Sequence, residues 1–127
     1  MAGDTIWLQR FARYATPSAS LQPMHALPAP AGLTAIFSKD LGALSEQRRK
    51  LDAIINAFVA ELSQDCLQQV VHYKNMKGVS SHKRLSALLL HFFNHQTHHR
   101  GQVSTLLFQA GVDIGVTDLV MLVPDED

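Results

Sequence analysis

The sequence predicts an all-α protein with two long amphipathic helices and a shorter one ahead of them. Three observations point there. Apolar residues recur at three- and four-residue intervals over residues 38–65 and again over 81–110. Helix breakers are gathered elsewhere: four of the five prolines, Pro17, Pro23, Pro28 and Pro30, fall between Ala15 and Gly32. Hydrophobic residues make up 46% of the 127-residue chain, enough for a core, so a single folded domain over residues 1–127 is expected rather than a disordered chain.

In chain order, Gly3 to Ala12 reads as a short helix with Ile6, Trp7, Leu8 and Phe11 as its apolar set. A helix of about ten residues is marginal unless tertiary packing holds it. The long Pro-rich stretch after it, Ala15 to Gly32, reads as an irregular loop in which His25 is solvated. Ser38 to Asp65 reads as the first long helix, with Ser38 as cap and Asp40 in the first turn. Its core stripe is Leu41, Leu44, Leu51, Ile54, Ile55, Phe58, Val59 and Leu62.

Gln69 to Tyr73 is rich in β-branched and aromatic residues, and Gly78 and Ser80-Ser81 follow. That predicts an extended piece and a turn, or a tiny hairpin, with His72 and His82 as surface or turn residues. Ser81 to Ala110 reads as the second long helix, stopped by Gly111. The apolar tail, Val112 to Pro124, is expected to pack back on the bundle as a helical turn plus an extended segment. The acidic end Asp125-Glu126-Asp127 is expected to fray.

The formal net charge is zero with histidine neutral. That argues against a nucleic-acid partner or an anionic membrane surface. The one basic cluster, Arg48-Arg49-Lys50, reads as a solvated helix face. The lone cysteine, Cys66, has no internal disulfide partner, which fits a reducing compartment; it reads as a small partly buried residue at a helix end, with a nucleophile as the alternative. No charged start leads into an apolar run, and no apolar run approaches the roughly 18 residues of a membrane span. A cytoplasmic protein is expected.

Chemistry concentrates in one place. Four of the seven histidines, His91, His95, His98 and His99, fall within nine residues of the second long helix. Neutral imidazole is the commonest protein metal ligand. At about 100° per residue, Leu85, Leu88, Leu89, Phe92, Val103, Leu106 and Leu107 share one arc. His99 points into it and His95 lies at its edge one turn back. His91 and His98 lie further round, toward solvent. The inward pair is therefore His95 and His99, spaced i, i+4. Either two stacked histidines satisfy one another and their neighbours, or they hold a divalent ion, with Asn94 and Gln102 as supporting groups. No Glu follows the first histidine, so the zinc-protease pattern H-E-x-x-H is absent.

Asn94-His95-Gln-Thr-His98-His99-Arg100-Gly101-Gln102, followed by Leu106-Leu107 and Gln109-Ala110-Gly111, resembles the DinB family of metalloenzyme-like proteins. Gly115-Val116-Thr117-Asp118-Leu119 and Leu122-Val123-Pro124 resemble that family's C-terminal pattern. Gly3-Asp4-Thr5-Ile6-Trp7-Leu8 with Arg10-Phe11 is similar to the second half of its second helix, and Arg48 or Arg49 with Asp52 to its third. The resemblance implies an up-down four-helix bundle, usually dimeric, with a divalent ion, zinc or nickel, held by three histidines. Two of these are His95 and His99. The third belongs to the second helix ahead of the Asp4–Trp7 element. By this resemblance the first helix and the start of the second lie upstream of Met1, and the bundle is N-terminally truncated. Asp4 is then the nearest substitute ligand.

The resemblance also implies a function. Some such proteins are metal-dependent thiol transferases, isomerases or hydrolases that use a small thiol co-substrate. His95 and His99 are then ligands, and Arg100 an anion or packing contact. No residue of the chain is assigned a catalytic role. The competing expectation is a non-catalytic helical interaction module, or a vestigial one, with an incomplete metal site. Direct DNA binding, suggested by the family's damage-inducible name, has no support in the charge balance. Self-association as a homodimer is expected, to cover Trp7, Phe11, Phe92 and the stripe of the first long helix.

Overall fold

The structure, a computed structural model, describes residues 1–126; Asp127, part of the acidic end, lies outside the described residues. Helix occupies 60% of the chain and strand 8%, so the helical class holds with one small hairpin added. The helices are α1 (Ala2–Tyr14), α2 (Pro23–Ala26), α3 (Leu41–Glu61), α4 (Gln64–Gln68) and α5 (Leu85–Gln109). The hairpin, β1 (Val70–Lys74) and β2 (Ser80–Arg84), lies between α4 and α5. Two compact units are distinguished, Met1–Phe92 and Phe93–Asp127.

The first unit holds the buried core. Leu8, Phe11 and Ala12 of α1 meet Leu51, Ile55 and Phe58 of α3, Val71 of β1, and Leu85, Leu88, Leu89 and Phe92 of α5. Phe11 is central: it stacks on Phe58 at 5.7 Å between centroids and meets Phe92 edge-on at 5.9 Å. Such aromatic contacts add to the area they bury. The α1 helix is therefore held by packing, which a helix of its length requires.

The Pro-rich segment is more ordered than its composition suggests. A 3-10 turn, Ala19–Leu21, and the short α2, with Pro23 in its first turn, place Leu21 and Met24 in the core. Its backbone is pinned from outside. The Ser20 N–H donates to Glu61 Oε1 at 2.8 Å, and Gln9 Nε2 donates to the Leu27 carbonyl at 2.8 Å. Proline composition reports the broken helix and is silent on two apolar residues seated between the breaks.

The cap of α3 is Asp40, not Ser38. Asp40 Oδ1 accepts from the Ala43 N–H at 2.7 Å, while Ser38 Oγ accepts from the Asp40 N–H. At its far end the backbone turns extended at Leu62, and Ser63 caps the separate α4, so the expected helix to Asp65 is two helices. Leu51, Ile55 and Phe58 of its stripe are buried, while Leu41 and Val59 are exposed.

Arg48 is not part of a solvated basic face. It donates to the buried carboxylate of Asp4 and to Asp52, and Lys50 pairs with Glu46 at 2.7 Å. The hydrogen bond to Asp52 is the largest influence holding the Arg48 guanidinium above its usual range; desolvation opposes it and Asp4 adds to it.

The hairpin turn is built by Asn75 and Gly78. Asn75 Oδ1 accepts from the Lys77 and Val79 N–H groups, and the Gly78 N–H donates to the Asn75 carbonyl at 2.9 Å. Gly78 sits at φ 76°, where a side chain would strain the backbone. That turn fixes the register Val70↔Arg84, Val71↔Lys83, His72↔His82, Tyr73↔Ser81 and Lys74↔Ser80.

Candidate metal centre

The second unit begins within α5, at Phe93, and contains the histidine pair. His95 and His99 stand one helical turn apart. Their rings are 4.5 Å apart between centroids, and the two Nε2 atoms are 3.3 Å apart. His99 Nδ1 lies 2.7 Å from Gln102 Oε1. An amide oxygen only accepts, so the Nδ1 carries the proton, and the His99 Nε2 presents its lone pair. That lone pair faces His95 Nε2, which donates to it. The structure thus brings together His95, His99 and Gln102.

His98 meets His99 ring against ring at 5.3 Å and is exposed. Arg100 Nη2 donates to Thr97 Oγ1 at 2.9 Å, and Asn94 is exposed on α5 beside His95. Asp4 belongs to the first unit, where it is 6% exposed and its carboxylate accepts from Arg48. His91 falls in the first unit as well, edge-on to Trp7 at 5.3 Å.

One expectation fails. The arc that includes Leu85, Leu88, Leu89 and Phe92 is buried, but Val103, Leu106 and Leu107, which continue it, are exposed. His95 is half-buried and His99 exposed. The helical period places these residues on one side; it does not supply a partner to cover them. The tail forms its 3-10 turn at Leu119–Leu122, and those four residues are exposed too, so it does not bury its apolar side chains as expected.

Two clusters carry chemistry that residue spacing along a helix could not reveal. His72 and His82 face each other across the hairpin with Nδ1 atoms 2.6 Å apart. The signal was present: a turn centred on Lys77 puts residues 72 and 82 opposite. In the other cluster, the Arg10 guanidinium lies over Trp7 at 4.7 Å and near Tyr73 at 5.3 Å, and burial pushes its pKa down. Cys66 is held differently. Its thiol accepts from Ser63 Oγ at 3.0 Å, which lowers its pKa.

The chain is thus a mainly helical protein with a His-x-x-x-His pair braced by a glutamine. The DinB family model matches residues 2–124, and the chain belongs to the DinB family. No curated protein and no solved structure matches it. No helix among the described residues is long and apolar enough to cross a membrane.

Proposed function

We infer that this chain is a divalent-metal-binding protein whose ion, zinc or nickel, is held by His95 and His99. The observation that carries the reading is the 3.3 Å between the two Nε2 atoms. Two donors at about 2.0–2.1 Å from a tetrahedral ion lie about 3.3–3.4 Å apart, so the pair fits an ion without rearranging the helix once the His95 Nε2 proton has passed by way of water to its own Nδ1. Gln102 supports it further, because a ring whose Nδ1–H is engaged keeps Nε2 free for a ligand bond.

When bound, the ion supplies a Lewis acid that lowers the pKa of a thiol or water, or polarises a carbonyl. The chemistry this favours is that of a metal-dependent thiol transferase or hydrolase with a small thiol co-substrate. The chain's own residues bind and orient: Gln102 fixes the His99 tautomer, and Arg100 offers a cation one residue beyond the pair. The same reading takes the fold as an up-down four-helix bundle in a homodimer. The exposed Val103, Leu106 and Phe108 support it, since extended apolar patches mark association surfaces.

Metal analysis of tag-free protein tests the site. His95→Ala or His99→Ala should remove the ion held by the pair, lowering bound zinc or nickel by up to one ion per chain, and His98→Ala should leave it. Equal loss from all three variants would sink the assignment.

A second reading has an observation of its own. Among the described residues, no group of three or more His, Cys, Asp or Glu is placed to hold an ion. That favours a non-catalytic helical module in which the pair only stabilises itself. Tag-free protein whose zinc or nickel uptake is unchanged by His95→Ala and by His99→Ala, yet which still self-associates, would select it.

A further inference from the structure

We propose that the hairpin carries a second transition-metal site, formed by His72 and His82, for a borderline dication such as nickel, copper(II) or zinc. This inference does not rest on the His95–His99 reading. It rests on the strand register. His72 and His82 are the middle pair of five in the antiparallel ladder. Directly opposed residues hold their Cβ atoms about 4.5–5.5 Å apart, close enough for both imidazoles to reach one ion. The rings already converge, with centroids 4.5 Å apart and the Nδ1 atoms 2.6 Å apart.

The hairpin is a firm platform for such a site. Val71, on the opposite face of β1, is buried in the core, and Tyr73 beside it packs edge-on against Trp7 at 5.5 Å. The Asn75–Gly78 turn fixes one end, and the Leu85 N–H to Gln69 carbonyl bond fixes the other. Both histidines are exposed, so an ion and its waters have access.

The metal-free pair is one Nδ1–H donating to the other ring's Nδ1 lone pair. One donor atom is therefore already aimed inward. Cis donors on an ion at about 2.0–2.1 Å stand about 2.9 Å apart or more, so the rings open by only a few tenths of an ångström. The donating ring's proton passes by way of water to its own Nε2. Both Nδ1 lone pairs then face the ion, and no net proton is released.

The register puts Arg84 and Lys74 on the same face as the pair, one on either side. Arg84 is turned to Gln68 Oε1 at 2.5 Å. These cations suit the open coordination positions to water or a small anion. Imidazole donors and open positions match nickel and copper(II) as well as zinc.

The test uses the full-length, tag-free His95→Ala/His99→Ala protein, so that the helical pair contributes nothing. Nickel(II) is titrated by calorimetry in a non-coordinating buffer, and copper(II) by electron paramagnetic resonance. One ion per chain is expected, with two imidazole nitrogens in the copper spectrum. Adding His72→Ala or His82→Ala should weaken binding at least about tenfold and remove the nickel-dependent rise in Tm. Lys74→Ala should leave the ion in place. The unliganded Tm of each variant reports that it folds. No uptake by the His95→Ala/His99→Ala protein, or uptake unchanged by His72→Ala, would overturn the proposal.

Discussion

The two halves of α5 carry the same apolar period and meet different environments. Leu85, Leu88, Leu89 and Phe92 are buried in the core, Leu88 to 2% exposure. Val103 and Leu106 continue the same arc, and Leu106 is 64% exposed. The difference teaches that amphipathic spacing specifies which side of a helix seeks cover and says nothing of whether this chain provides it. The His95–His99 pair lies where the change occurs. His95, half-buried, and His99, exposed, begin the second stretch.

The sharpest way to break the contrast is a core truncation. Phe92→Ala removes a ring in edge contact with Phe11 and leaves a cavity. It should cost about 3–5 kcal/mol of unfolding free energy in urea denaturation. A cost near zero would mean that the first half of α5 is no better held than the second.

Gln102→Ala probes the exposed half by its chemistry. The variant loses the acceptor that holds the His99 tautomer. Zinc affinity measured by competition with a chelator should fall about 10–100-fold, while urea stability of the metal-free protein stays level. Unchanged affinity would leave Gln102 a bystander.

Asp4→Asn tests whether polar contacts as well as apolar ones secure the first unit. The carboxylate is buried and accepts from Arg48, a partner itself about one-third exposed. Solvent screening of that guanidinium limits the effect, so a loss of about 1 kcal/mol is expected by urea denaturation. A loss as large as that of Phe92→Ala would show that the ion pair is a main support of the core.

Much of this was legible in the sequence. That there are two long helices, a short one before them and a hairpin follows from period and breakers, the i, i+4 pairing of His95 with His99 from helical azimuth, and the DinB resemblance from the motif residues. The second long helix begins at Leu85 rather than at the expected Ser81, because residues 80–84 pair with β1 as β2. What was not legible depended on partners distant in sequence. Leu21 and Met24 reach the core because Glu61 and Gln9 pin the segment's backbone, which no local pattern encodes. Arg48 has adjacent basic neighbours and differs from Arg49 because α1 brings Asp4 to it. His72 and His82 are a pair because Asn75 and Gly78 fix the register; a turn centred on Lys77 would have shown it, but the extended piece and turn alone left the register open. Ser38 and Asp40 are both good caps by type; the helix starts at Leu41, and it is the extended Asp40 whose carboxylate reaches the Ala43 N–H.

The smallest effect on stability is the one that sharpens the comparison most. Leu106 is apolar and lies on the arc of Phe92, so period alone gives the two residues equal weight. Its exposure says otherwise: Leu106→Ala removes little area buried within the chain. In dilute solution it should change unfolding free energy by less than about 0.5 kcal/mol. If a second copy covers this stretch, the same substitution weakens association, because the leucine then loses contacts between chains. Sedimentation across a concentration series separates the cases. Leu106→Ala should shift the protein toward monomer while dilute urea curves of variant and parent coincide. Loss of several kcal/mol at concentrations where the protein is monomeric would place Leu106 in this chain's own core and erase the distinction between the two halves of α5.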